Sequence, residues 1–136
     1  MVEDVAPSAA WEALRHDPDA QLIDVRTQPE WAFVGLPDLG EAGKQAVLIP
    51  WQSYPTMQVD ARFTDRLREA GLTPDSKLYF ICRSGARSMA AAAAAQQAGF
   101  KHAYNVADGF EGPPDGEGHR GTAAGWKAEG LPWRQR

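Results

Sequence analysis

Short apolar runs alternate with helix-like stretches along this chain. "QLIDV" (Gln21–Val25), "AVLIP" (Ala46–Pro50), "LYFIC" (Leu78–Cys82) and "AYNV" (Ala103–Val106) are each flanked by turn or helix signals, as buried strands are. Before the first, "PSAAWEALRHDP" reads as a helix, with Ser8 as its candidate N-cap and Asp17-Pro18 as its stop. Thr27-Gln28-Pro29-Glu30 has the form of a capping box and opens a brief helix through Trp31 and Phe33. "DARFTDRLREAG" sets Phe63, Leu67 and Ala70 on one face, with Asp60 to cap its start and Gly71 its end. Ser88 to Ala98 is an alanine helix that Gly99 stops. Small side chains let such a helix lie close to a sheet. Strands and helices in alternation predict an α/β fold with a mostly parallel sheet of four to five strands and helices on both faces.

Two stretches have no clear period. Val34–Gln45 reads as a loop, and Asp108–Gly125, rich in Gly and Pro, is longer than most loops in compact domains. The 136 residues are one domain's worth, 1–136, with a core over about 7–133 and an inserted loop over about 108–125. A net charge of −4 argues against nucleic acid as a partner. The acidic N-terminus lacks an apolar signal segment and no run reaches transmembrane length, so a cytoplasmic protein without membrane attachment is expected. One cysteine excludes an internal disulfide. His16, His102 and His119 are scattered and suggest no metal, and no cofactor is expected.

The single thiol has a particular setting. Cys82 ends an apolar run, at the carboxyl edge where chemistry collects in parallel sheets. The six residues Cys82-Arg83-Ser84-Gly85-Ala86-Arg87 then turn the chain into the alanine helix, beginning at Ser88. Backbone N–H groups of a tight loop converge into an anion cradle, and the helix N-terminus adds partial positive charge. With Arg83 and Arg87 this favours a thiolate. Gly85 permits a backbone angle that a Cβ resists. The plain alternative is a small buried apolar residue ending a strand.

"LIDVRTQPEW", "VLIPW", "YFICRSGARS", "AGF", "NVADGFEG" and "GWKAEGLPW" resemble, in order, the pattern of single-domain rhodaneses, from about Trp11 to Trp133. The resemblance implies a rhodanese-like sulfurtransferase. Cys82 would take a sulfane sulfur as a persulfide from a small donor (thiosulfate or a persulfide) and pass it to cyanide, a thiol or a protein acceptor. Residues 83–87, with Ser88, would hold the persulfide. Asp24 and Arg26 would organise the site from beneath or simply pair to fix a strand end, and Glu30 would stand near the mouth. The family's segment before the second strand is replaced here by the longer "VGLPDLGEAGKQA", and "PPDGEGHRGTAA" separates two usually adjacent motifs. The resemblance places that second insertion near the rim of the site. Ser84 stands where several thiosulfate-active members carry lysine, so thiosulfate is expected to be a poor donor. Two other readings compete: a non-catalytic module of the same shape that binds a partner, and a cysteine-dependent phosphatase. The latter uses Cys, five residues, then Arg; here Arg87 follows after four and Ser88 takes the arginine's place.

Overall fold

Alternation within the strands decides how the layers form. The structure, a computed structural model, describes residues 2–135. In β2 (Ala20–Asp24) and β7 (Lys77–Ile81), successive residues point to opposite faces. Ile23, Leu78 and Phe80 join one apolar cluster with Phe63, Leu67, Ala91, Ala92 and Ala95. Leu22, Tyr79 and Ile81 join another with Ala10, Trp11, Leu14, Phe110 and Trp126. Both faces of the sheet are therefore covered. Helix α1 (Pro7–His16) lies on one, and α3 (Phe63–Glu69) and α4 (Ala86–Gln97) lie on the other.

The central sheet has five parallel strands in the order β1-β8-β7-β2-β4, with β1 at Glu3–Val5, β4 at Val47–Leu48 and β8 at His102–Val106. Its register sets the site. Asp24 pairs with Ile81, Phe80 with Asn105, and Asn105 in turn with Asp4. Asp4, Asn105, Asp24 and the residue after Ile81 thus collect at one carboxyl edge. Short antiparallel pairs join β3 (Leu36–Pro37) to β9 (Trp133–Arg134) and β5 (Gln52–Ser53) to β6 (Gln58–Val59).

The four expected strands are β2, β4, β7 and β8, though β4 is only two residues long. Past β4 the chain still runs along β2, since Ile49 N–H donates to Asp24 C=O and Trp51 N–H to Val25 C=O. The capping box at Thr27 opens α2 (Gln28–Phe33), where the Glu30 carboxylate accepts both the Thr27 N–H at 3.2 Å and its hydroxyl at 2.9 Å. Three local expectations are corrected. Ala6, not Ser8, is the N-cap of α1, because Pro7 has no N–H to satisfy and opens the first turn; Ser8 N–H instead meets the Glu129 carboxylate. Arg62 caps α3, and Asp60, two residues earlier, accepts the Arg62 N–H and holds the Arg66 side chain. Ala70 is exposed, because α3 stops at Glu69 before a further turn reaches the core. β1 was not legible in the sequence: its three residues are mostly exposed and polar, and pairing with β8 alone makes them a strand.

Candidate active site

The cysteine loop follows from β7 ending at Ile81 and α4 beginning at Ala86. Gly85 is the cap, with φ of +113°, a left-handed conformation that favours glycine. The turn it permits folds the loop around the sulfur. Cys82 Sγ accepts the Gly85 N–H at 3.1 Å and the Ser88 N–H at 3.4 Å, and the Ser88 hydroxyl lies 3.2 Å away. Two backbone N–H groups, a hydroxyl and the positive end of the α4 dipole thus face the sulfur. Cys82 is only 1% exposed, so a reactant must meet the sulfur end-on.

The loop rests on the segment after β8. Phe110 N–H donates to Cys82 C=O at 2.8 Å, and Glu111 and Gly112 N–H to Arg83 C=O at 3.0 and 3.1 Å. Gly109 makes this fit possible: any Cβ there would collide with the carbonyls of Cys82 and Arg83. Beneath lies the fully buried Asp24–Arg26 pair, with Arg26 Nε 2.9 Å from Asp24 Oδ1 and Nη2 2.7 Å from Oδ2. Arg26 also donates to Gly35 C=O and lies 4.4 Å over the Phe110 ring, while its buried Nη1 has no hydrogen-bond partner. The pair supports the floor and does not reach the sulfur through any hydrogen bond among the described residues.

Above the loop, Glu30 and Arg87 form a two-pronged ion pair at 2.8 and 2.9 Å. Burial pushes the Glu30 carboxyl up, but the Arg87 and Thr27 contacts more than offset it and hold it below its ordinary value. Arg87 is therefore neutralised and is not a free cation beside the sulfur. Arg83, Ser84 and Ala86 are exposed on the loop's outer side.

Three residues that sequence reasoning missed complete the arrangement. Ser88 Oγ lies 2.5 Å from Asn105 Oδ1, and Asn105 Nδ2 donates to Asp4 Oδ1 at 2.8 Å. A hydrogen-bonded chain thus runs from the exposed Asp4 on β1 through the buried Asn105 and Ser88 to the sulfur. Only sheet register brings Asp4 to Asn105, so no local pattern announces it. Arg120, from the inserted segment, joins Glu30, Val34, Gln52, Met57, Arg83, Arg87 and Glu111 around a cleft of about 540 Å³ that borders the loop.

Comparison with known proteins agrees with this fold. The family model described as "STR4 middle domain" matches residues 3–136. The solved structure of Rv0390 from M. tuberculosis superposes with a TM-score of 0.90 at 47% identity, over 99% of this chain and 98% of that one. Rhodanese-like domain-containing protein 4 of Arabidopsis thaliana is 30% identical over 91% of this chain and 24% of its own length. The chain belongs to the rhodanese-like family. A further relative, named "Sulfurtransferase", from Allochromatium vinosum is 26% identical over 97% of this chain and 94% of its own.

Within the rhodanese-like fold, the Gly- and Pro-rich segment that follows β8 is an ordered turn system. The Asp115 carboxylate accepts the N–H groups of Glu117 and His119 and the Thr122 hydroxyl, which hold it below the usual carboxylate range. Gly121 N–H donates to Glu111 C=O at 2.6 Å, and Arg120 Nη1 to Gly112 C=O at 2.6 Å. Arg120, from this segment, lines the cleft. Among the described residues, no helix is long and apolar enough to cross a membrane.

Proposed function

We propose that this rhodanese-like protein is a sulfurtransferase that moves a sulfane sulfur through a persulfide on Cys82. The observation that carries this reading is the sulfur's position inside the loop, where three donors from Gly85 and Ser88 surround it. A merely structural cysteine needs no such donors, since a thiol is a small apolar group with weak hydrogen-bonding capacity.

The thiolate attacks the outer sulfur of the donor, a new S–S bond forms at Sγ, and the donor's own S–S bond breaks. With thiosulfate, the electron pair leaves on sulfite. The N–H groups that faced the thiolate then face the persulfide, whose terminal sulfur is the electrophile for the acceptor. Attack by cyanide releases thiocyanate; attack by a thiolate makes a new persulfide. Either way Cys82 returns to thiolate without net oxidation. Ser88 supplies a hydroxyl to the charged sulfur, and Asp24 and Arg26 keep the floor rigid without touching reactants.

A loop with arginine one position nearer the cysteine than in cysteine-dependent phosphatases also fits sulfur better than phosphate, and Arg87 is already spent on Glu30. The test is intact mass after incubation with thiosulfate or a persulfide. One added sulfur, removed by cyanide or dithiothreitol and missing in Cys82→Ser, is expected. A Cys82→Ser protein that still transfers sulfur overturns the mechanism.

A further inference from the structure

We propose that Arg120, together with Arg83, forms an anion-binding subsite at the mouth of the cleft that takes the charged end of an anionic sulfur donor. The proposal rests on the sulfur-transfer reading above and names the class of donor.

Which cations are free decides the matter. Three guanidiniums line the cleft, but Arg87 is bound by Glu30 at 2.8 and 2.9 Å. Among the described residues no carboxylate pairs with Arg83 or Arg120. Arg120 spends one N–H on Gly112 C=O at 2.6 Å. A guanidinium carries five N–H donors, so most of its fork is left for a ligand. Glu111 lines the same cleft and opposes an anion, but Lys127 offsets part of its charge. With three guanidiniums against two carboxylates, the lining keeps an excess of positive charge.

Arg120 is also held in place from both sides. His119 N–H is fixed by the Asp115 carboxylate at 2.9 Å, and Gly121 N–H by Glu111 C=O at 2.6 Å. Glu111 and Gly112 are in turn bonded to Arg83 C=O, so the segment that anchors Arg120 is tied to the cysteine loop itself. A guanidinium fork suits the oxygens of sulfonate and carboxylate alike. The shared chemistry is a sulfane sulfur attached to an anionic group. Thiosulfate is the smallest case and a persulfide bearing carboxylates a larger one. Arg120 supplies a cation that Ser84 does not, so the sequence-based expectation of weak thiosulfate use undercounts the charge at this mouth.

The experiment compares the wild type with Arg120→Gln and Arg120→Lys, using thiosulfate, glutathione persulfide and 2-hydroxyethyl persulfide, which carries neither sulfonate nor carboxylate. At low salt Arg120→Gln raises KM for the anionic donors roughly five- to ten-fold. Its kcat stays within about two-fold, the pattern for lost binding that ground and transition states share. The effect shrinks as salt rises, Arg120→Lys falls between, and the donor without sulfonate or carboxylate changes by less than about two-fold. If only one anionic donor responds, that donor is the class member the subsite takes. Unchanged KM for both thiosulfate and glutathione persulfide, or an equal loss with 2-hydroxyethyl persulfide, overturns the proposal. Should wild-type Cys82 accept sulfur from no donor, the sulfur-transfer reading fails. Thiosulfate binding to Cys82→Ser, with and without Arg120→Gln, then still decides the subsite. Weaker binding in the double variant supports it and equal binding overturns it.

Discussion

Ser88 has one hydroxyl proton and three acceptors within reach: Asn105 Oδ1 at 2.5 Å, Gly85 C=O at 3.2 Å and Cys82 Sγ at 3.2 Å. With Asn105 held by Asp4, the shortest of these draws the proton away from a neutral thiol. A charged sulfur competes for it, because hydrogen bonds to ions are about twice as strong as neutral ones. The hydroxyl thus responds to the charge on sulfur. Ser88→Ala removes that donor and should slow sulfur loading roughly ten- to hundred-fold, the range for a lost bond to a charged group. Single-turnover loading followed by mass measures it, and a rate equal to wild type would exclude the hydroxyl from the step. Ser88 was legible from its place beside the loop. Asn105 and Asp4 were not, since a polar residue in a strand looks the same whether it faces water or a buried sulfur.

Glu30 belongs to an element, the short helix α2, and its ion pair ties that helix to α4 through Arg87. Its folded pKa is depressed below 4.5, so its contribution to stability is complete above that value and is lost as pH falls through the lower folded one. Glu30→Gln should therefore lower stability by roughly 1.5–3 kcal/mol near about pH 6, and by progressively less toward about pH 3. Urea denaturation across that range checks the sign; a gap that widens in acid would contradict it. The insertion makes a second test at this scale. The backbones of Gly112 and Gly125 lie side by side, with Gly112 N 3.0 Å from where a Gly125 Cβ would sit, and no residue of 113–124 belongs to either apolar cluster. Excising Pro113–Ala124 should leave the thermal midpoint nearly unchanged while removing Arg120, since long loops cost little in closure entropy. Collapse of the fold would show that the Asp115 turn system stabilises the core. That system was invisible in the sequence because Gly-, Pro- and Asp-rich composition specifies turns without saying where they point.

Across the whole molecule, the parallel sheet delivers the site: two packed faces fix the strands, and their register brings Asp4, Asn105, Asp24 and Cys82 to one edge. Short apolar runs made β2, β4, β7 and β8 legible and alanine content made α4 legible, because burial writes itself into composition. The edge strand β1 and the pairs β3–β9 and β5–β6 lack that signature, being short, partly exposed and defined by distant partners. Asp24 and Arg26 link sheet to loop. Arg26→Leu leaves a buried carboxylate uncompensated and should destabilise the fold by about 3–5 kcal/mol, with Asp24→Leu added to it recovering part of the loss. Calorimetry of both variants checks this, and a single variant as stable as the wild type would contradict the buried-pair account. The central claim, that this architecture exists to hold a sulfur on Cys82, meets its most direct test in intact-mass spectrometry of the wild type and Cys82→Ser after donor treatment. The account predicts one added sulfur on the wild type, lost to cyanide, and none on the variant. A wild type that stays unmodified by thiosulfate and by every persulfide offered, while its fold is intact, would contradict it.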